Sequence, residues 1–163
     1  MAYHVRRRDK EITDREEMKE VLRSTKYVTL ALSMKNEPYL VTLSHGYDES
    51  RNCIYFHCAK EGKKIDYIKA NSKVWGQAFI DHGYADGKCN HLYTSVHFSG
   101  EITLIEDLGE KLEVMKCMIR QLERDPEPVI ARLKPERLRD TAMGRIDIDY
   151  MSGKKPEESI SQA

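Results

Sequence analysis

Hydrophobic and polar positions change period several times along this chain, and each change marks an element. Met18, Val21 and Leu22 recur at helical spacing behind Thr13 or Asp14, with Glu16 or Glu17 placed to complete a capping box. From Tyr27 the pattern shortens to that of strands. Tyr27 to Ser33 is rich in apolar and β-branched residues, Lys35-Asn36-Glu37-Pro38 turns the chain, and Tyr39 to Tyr47 reads as a second strand. A polar turn over Asp48 to Asn52 leads into a third strand, Cys53 to Cys58, so the three are expected to form an antiparallel meander. Gly62 to Ala70 reads as a short helix with Ile65 and Ile68 inward, and Val74 to Ile80 as a fourth strand. Asp81 to Asn90 has no period and is expected to be a loop. Tyr93 to Ile105 reads as one long strand or two joined at Gly100, where a bulge is expected. Leu108, Leu112, Met115, Ile119 and Leu122 then give the clearest helical stripe, over about Asp107 to Glu123. A short helix or loop around Pro135 precedes a closing strand, Met143 to Tyr150, and a polar tail.

This order of elements predicts one mainly β domain of the α+β kind over 1–163, with a basic arm at 1–12 and a polar tail at 151–163. The architecture expected is a six-stranded antiparallel β-barrel with flanking helices. A barrel this small fills its interior with side chains, so a flat ligand would lie outside it. Such a site needs a second wall, which dimerisation would supply.

Composition narrows the function. Lysine plus arginine and aspartate plus glutamate number 27 each, which argues against a general nucleic-acid binder. No apolar run approaches the roughly 20 residues of a membrane helix, and Met1 to Lys10 is charged, so neither a membrane span nor a signal peptide is expected. Cys53, Cys58, Cys89 and Cys117 form no CxxC pair and read as free thiols of a cytoplasmic protein. GxGxxG, Walker and GxSxG motifs are absent, which removes Rossmann, P-loop and α/β-hydrolase readings.

The most informative run is Ile54 to Lys64: a strand ending in small residues, then a glycine, then a helix whose first turn carries Lys63 and Lys64. A helix start exposes unpaired N–H groups, and paired cations beside it make a seat for phosphate. On their own the lysines are equally well read as solvated side chains. His57, at the lip of the seat, has three readings: a satisfied histidine, a ligand contact, or a metal or haem ligand. His45, His82, Cys89, His91 and His97 could partner it in the third, but Cys89-Asn90-His91 is too tightly spaced for a zinc site, and no metal is expected. Cys58 is not activated by His57, because neighbours on a strand point to opposite faces. Thr42-Leu43-Ser44 and Ser95 could face the edge of a planar heterocycle or simply water. Trp75 reads as a core or interface anchor.

Three blocks together resemble one family: Val5-Arg6-Arg7-Arg8-Asp9-Lys10-Glu11-Ile12, Tyr55-Phe56-His57-Cys58-Ala59-x-x-Gly62-x-Lys64, and Arg145-Ile146-Asp147-Ile148 through Gly153-Lys154. It is the pyridoxamine 5'-phosphate oxidase-like, FMN-binding split-barrel superfamily, and within it the 5-nitroimidazole-resistance proteins. The resemblance implies a split-barrel homodimer with two flavin sites at its interface. It implies Lys63 and Lys64 as anchors of the FMN phosphate and His57-Cys58-Ala59 as the wall beside the ribityl chain and ring. Thr42-Leu43-Ser44 would meet the isoalloxazine edge, Ser95 would approach from its own strand, and His57 would lie near substrate. An Arg-Lys pair often serves the phosphate in such oxidases, whereas this chain has two lysines, which cannot grip it bidentately. No counterpart to a pyridoxal-phosphate clamp is recognised. The expected function is an FMN-dependent oxidoreductase reducing nitroaromatic or related small acceptors. The alternatives are a flavin-storage protein without turnover and a haem-binding split-barrel protein.

Overall fold

The computed structural model describes residues 5–157. Chain order is β1 (Glu11–Ile12), α1 (Arg15–Ser24), β2 (Tyr27–Met34), β3 (Glu37–Ser44), β4 (Gly46–Asp48), β5 (Cys53–Ala59), α2 (Lys63–Ala70), β6 (Lys73–Ala85) and β7 (Asn90–Ile105). Then come α3 (Leu108–Leu122), α4 (Glu127–Ala131), a 3₁₀ turn (Pro135–Asp140) and β8 (Thr141–Lys154). The strands form one antiparallel sheet of eight in the order β3-β2-β6-β7-β8-β5-β4, with β1 on the far end of β8.

The mainly β fold is as expected, but the strand count and the meander are not. The run Tyr39 to Tyr47 is two strands, not one, and they lie at opposite edges of the sheet. Only His45 separates them. β3 therefore pairs with β2 alone, and β5 pairs with β4 and β8, so no three-strand meander forms. β3 and β5 approach without hydrogen bonding, and the sheet is not closed. The chain itself, turning at His45, bridges the split.

Two other boundaries move. Asp81 to Ala85 continue β6, and Asn90 to Leu92 begin β7. These residues form a polar two-stranded arm held by stacked Phe79 and Tyr93, by His91 on Asp81 (2.8 Å) and by His82 on Thr94 (2.8 Å). With both faces open to water, no apolar alternation marks it. At the other end, Met151 to Lys154 belong to β8 rather than to a tail, and Glu11 and Ile12 of the basic arm pair with Lys154 and Gly153. Val5 and Ile12 are buried. Residues 1–4 of the arm and 158–163 of the tail lie outside the described residues.

The helix caps are legible. Asp14 accepts from the Glu16 N–H (2.9 Å) and Asp107 from the Glu110 N–H (2.8 Å), satisfying first-turn donors. The register shifts between Ser99 and Gly100, but the extra residue is Asp149 of the facing strand β8; a Cβ on Gly100 would sit 2.1 Å from the Asp147 carbonyl oxygen. The stripe of α3 is rotated from expectation. Lys111, Val114, Met118 and Ile119 are buried, and Leu108, Leu112, Met115 and Leu122 only partly so. Lys111 is tolerated inside because its Nζ donates to the Thr141 carbonyl (2.8 Å).

Two hydrophobic clusters result. Inside the barrel, α1 and α2 plug the sheet with Met18, Val21, Leu22, Tyr67 and Ile68, against strand residues including Leu30, Phe56, Phe98 and Ile146. Outside it, α3 and the 3₁₀ turn cover Cys53, Tyr55, Ile105 and Met143. The outer face of β3-β2-β6 and the neighbouring halves of β7 and β8 carry no helix. Leu40 (67% exposed), Tyr27 (54%) and Trp75 (51%) stand on it.

Candidate functional site

The end of β5 is where chemistry collects. His57 pairs across to Met143, Cys58 to Ala142 and Ala59 to Thr141, while β4 has already stopped opposite Tyr55. One side of this strand end is therefore unpaired. Gly62 then turns the chain with φ +116°, a backbone that side chains rarely adopt, and a Cβ there would meet nothing. The glycine is required by the turn rather than by packing, and it leaves open space in front of α2. No side chain caps that helix, so its first N–H groups are available.

His57 is open to solvent, yet the surrounding protein and then the Lys64 ammonium hold its proton affinity below that of an ordinary histidine. The imidazole is neutral at neutral pH as a result. Cys58, half-buried on the opposite face, has its thiol pushed up by burial, with Lys64 pulling the other way. The charge of Lys64 thus acts on both. Lys63 turns elsewhere: its Nζ lies 4.7 Å from the ring centre of Tyr39 and 5.4 Å from that of Tyr67.

The remaining expected residues divide into two groups. Thr42 and Ser44 point to the bare outer face, Thr42 hydrogen-bonded to Thr29 (3.0 Å), while Leu43 packs inward on the core. They lie on an edge strand whose other side is unpaired. Ser95 is elsewhere. It pairs with Lys154 near the far end of β8, whereas His57 pairs with Met143 near its start. Within one protomer the structure does not bring Ser95 to His57.

Ser95 instead floors a second pocket, of about 240 Å³, lined by Val5, Arg6, Trp75, His97, Tyr150, Ser152 and Lys154. Ser95 is 4% exposed there. His97 is held neutral by burial and then by Lys154, and Gln77 lies 2.9 Å from its Nε2. Trp75 stands edge-on to Tyr150 at 5.8 Å, on the surface rather than in the core. A groove of about 320 Å³ over Thr29, Ala31, Leu40 and Gln77 adjoins this pocket through Trp75 and His97. Sequence reasoning missed Arg6, Lys154 and Tyr150 as pocket residues, because the contact depends on β8 running four residues further than its apolar pattern.

Three arginines of the arm and of β8 are already engaged. Arg145 is paired with Glu110 (3.2 Å) and Asp147 (3.0 Å), Arg8 with Glu11, and Arg7 with Asp9 and Glu157. His45 is fully buried at the turn between β3 and β4. Its Nε2 lies 2.9 Å from the Leu22 carbonyl, Nδ1 has no partner among the described residues, and burial depresses its proton affinity. No group of three or more metal-ligating side chains occurs among the described residues. No helix among them is long and apolar enough to cross a membrane.

Residues 14–155 match the family model described as pyridoxamine 5'-phosphate oxidase. No curated protein matches the sequence significantly. Among solved structures, the chain is similar to the flavocytochrome Anf3 from Azotobacter vinelandii (TM-score 0.79, 18% identity, 94% of this chain and 72% of that one). It is also similar to a candidate 5-nitroimidazole antibiotic resistance protein from Bacteroides thetaiotaomicron (0.77, 21%, 88% and 85%). A third is an FAD- and heme-binding protein from Mycobacterium smegmatis (0.71, 18%, 91% and 74%). At these identities the likeness is one of fold.

Proposed function

The chain belongs to the pyridoxamine 5'-phosphate oxidase family, and from that premise we propose that it is an FMN-dependent oxidoreductase acting on nitroaromatic or related small acceptors. It works as a homodimer in this reading, with a flavin seat shared between protomers. The observation that carries it is the juxtaposition at the end of β5: an uncapped helix start with open space before it, Lys64 beside it, and a neutral imidazole at its lip. These groups fit a phosphate followed by a flat ring. The helix N-terminus and Lys64 would hold the phosphate, while His57, Cys58 and Ala59 wall the ribityl chain. The unpaired edge of β3 at Thr42-Leu43-Ser44 would read the ring.

The flavin, when bound, would supply the redox chemistry, and the protein's part is to bind, orient and exclude water. His57, being neutral, can accept a hydrogen bond from an acceptor molecule or take up a proton. The placement of Ser95 supports a dimer. A second copy laid against the bare face would bring its own Ser95–Lys154 pocket to a flavin anchored at Lys64, which one protomer cannot do. The exposed Leu40, Tyr27 and Trp75 give that contact its apolar content.

Titration of the purified protein with FMN, riboflavin and haem, followed by visible absorbance, tests the reading. Perturbed flavin bands with FMN bound more tightly than riboflavin are expected, and an unchanged flavin spectrum contradicts it. Haem merits its arm because the similar folds include a flavocytochrome and an FAD- and heme-binding protein; a Soret shift lost in His57→Ala or His97→Ala would favour haem. Reduction of bound FMN by NAD(P)H and reoxidation by a nitroimidazole separates an enzyme from a storage protein.

A further inference from the structure

Lys63 and Lys64 are adjacent in sequence and alike in charge, yet the fold gives them different surroundings. Successive helix residues point about 100° apart. Lys64 is half-buried at the start of α2, and its charge acts on His57 and Cys58 at the end of β5. Lys63 reaches the other way, onto two aromatic rings whose centres are 5.2 Å apart with their planes tilted by 56°. Tyr67 belongs to α2 itself and is 2% exposed, while Tyr39 belongs to β3 and packs against the same core. An ammonium over a ring face is attracted by the ring's quadrupole, and two rings hold it better than one.

β3 needs such a tie. As a sheet edge it has a hydrogen-bonded neighbour on one side only, and it approaches β5 without pairing. No ladder fixes its distance from α2. The rings of Tyr39 and Tyr67 touch across that gap, and the Lys63 ammonium rests on both, adding a second tie between strand and helix.

We propose that the two lysines divide the work. Lys64, with the open start of α2, meets the phosphate, and Lys63 is a positioning residue that holds the edge strand β3 against α2 and so sets where a flavin ring can lie. This rests on the flavin reading above. Carrying Lys63 to a phosphate would require it to leave both rings and would release the strand. The two cations are therefore not interchangeable, and their loss has different signatures.

The test compares Lys64→Ala, Lys63→Ala, Lys63→Arg, Tyr39→Leu and Tyr39→Phe, measuring Kd for FMN and riboflavin and the visible circular dichroism of bound flavin. Lys64→Ala is expected to weaken FMN by about 10- to 100-fold while riboflavin changes by less than about threefold. Lys63→Ala is expected to weaken both ligands by the same factor, about two- to tenfold, and to alter the dichroism of the bound ring. Lys63→Arg and Tyr39→Phe keep a cation on a ring face and restore the wild-type values, whereas Tyr39→Leu copies Lys63→Ala. An FMN-selective loss in Lys63→Ala equal to that of Lys64→Ala overturns the proposal. Hydrogen exchange of the flavin-free protein supplies an arm that does not depend on flavin. The amides of Glu37 and of Tyr39 to Leu43 should exchange faster in Lys63→Ala and Tyr39→Leu than in wild type or Lys64→Ala. Unchanged exchange overturns the positioning role, and failure of the wild type to bind either flavin overturns the flavin reading separately.

Discussion

The outer face of the sheet has two halves built from the same strands with opposite fates. β7 and β8 run through both. At one end Ile105 and Met143, with Cys53 and Tyr55, lie under Val114 and Met118 of α3, and Met143 and Cys53 are wholly excluded from water. At the other end Ser95, His97, Tyr150 and Lys154 face a groove that no helix covers, beside an exposed Trp75 and Leu40. An apolar residue on the outer face is therefore core in one half and surface in the other. The difference is whether this chain supplies the lid. The covered half stabilises the monomer, and in the proposed homodimer the bare half would meet the second copy.

Breaking the covered half should cost most. Met143→Ala, at a site closed on all sides, is expected to lower unfolding free energy by about 2–5 kcal/mol in urea titration. Trp75→Ala, in the bare half, should change the stability of the monomer by no more than about 0.5 kcal/mol. Equal losses would erase the distinction.

Next in size is the effect of charging the bare half. Leu40→Glu with Trp75→Glu should leave the fold intact by circular dichroism and raise the dimer dissociation constant by about thirtyfold or more, as loss of a central anchor does. Sedimentation velocity reads this directly.

A smaller effect comes from His45, at the turn that carries the chain from one edge of the sheet to the other. In the unfolded chain it takes a proton near pH 6.5; buried with Nδ1 unpartnered, it resists protonation. The unfolded state then binds more protons, so stability is full above about pH 6.5 and falls as pH drops through that value toward the folded pKa. The loss is at most about 1.4 kcal/mol per pH unit for one proton. Urea midpoints between pH 7.5 and 5.5 should fall less steeply in His45→Gln than in wild type, while Trp75→Ala keeps the wild-type slope.

The same contrast explains what could be read from the sequence. Local features were legible: a cap at Thr13 or Asp14, which falls on Asp14, the start of α3 near Asp107, a strand irregularity beside Gly100, and the run from His57 to Lys64, whose strand, turn and helix start need only neighbouring residues. Features set by distant pairing were not. Tyr39 to Tyr47 alternates as one strand would, and nothing in that run reports that β3 and β4 sit at opposite sheet edges. The rotation of α3 depended on a buried Lys111 finding the Thr141 carbonyl, which helical spacing of apolar residues passes over. Ser95 was singled out, but its partners Arg6 and Lys154 come from segments read as arm and tail. In one protomer that pocket stands at the far end of β8 from His57, and the proposed site, divided between two chains, would leave no contiguous trace in either.

Sedimentation velocity of the Leu40→Glu, Trp75→Glu protein with FMN, followed at a flavin absorbance wavelength, tests the shared seat most directly. Wild type should carry flavin absorbance in a dimer boundary, and the folded variant should sediment as a monomer with the flavin left free. A folded monomer that carries FMN with undiminished affinity would contradict the account.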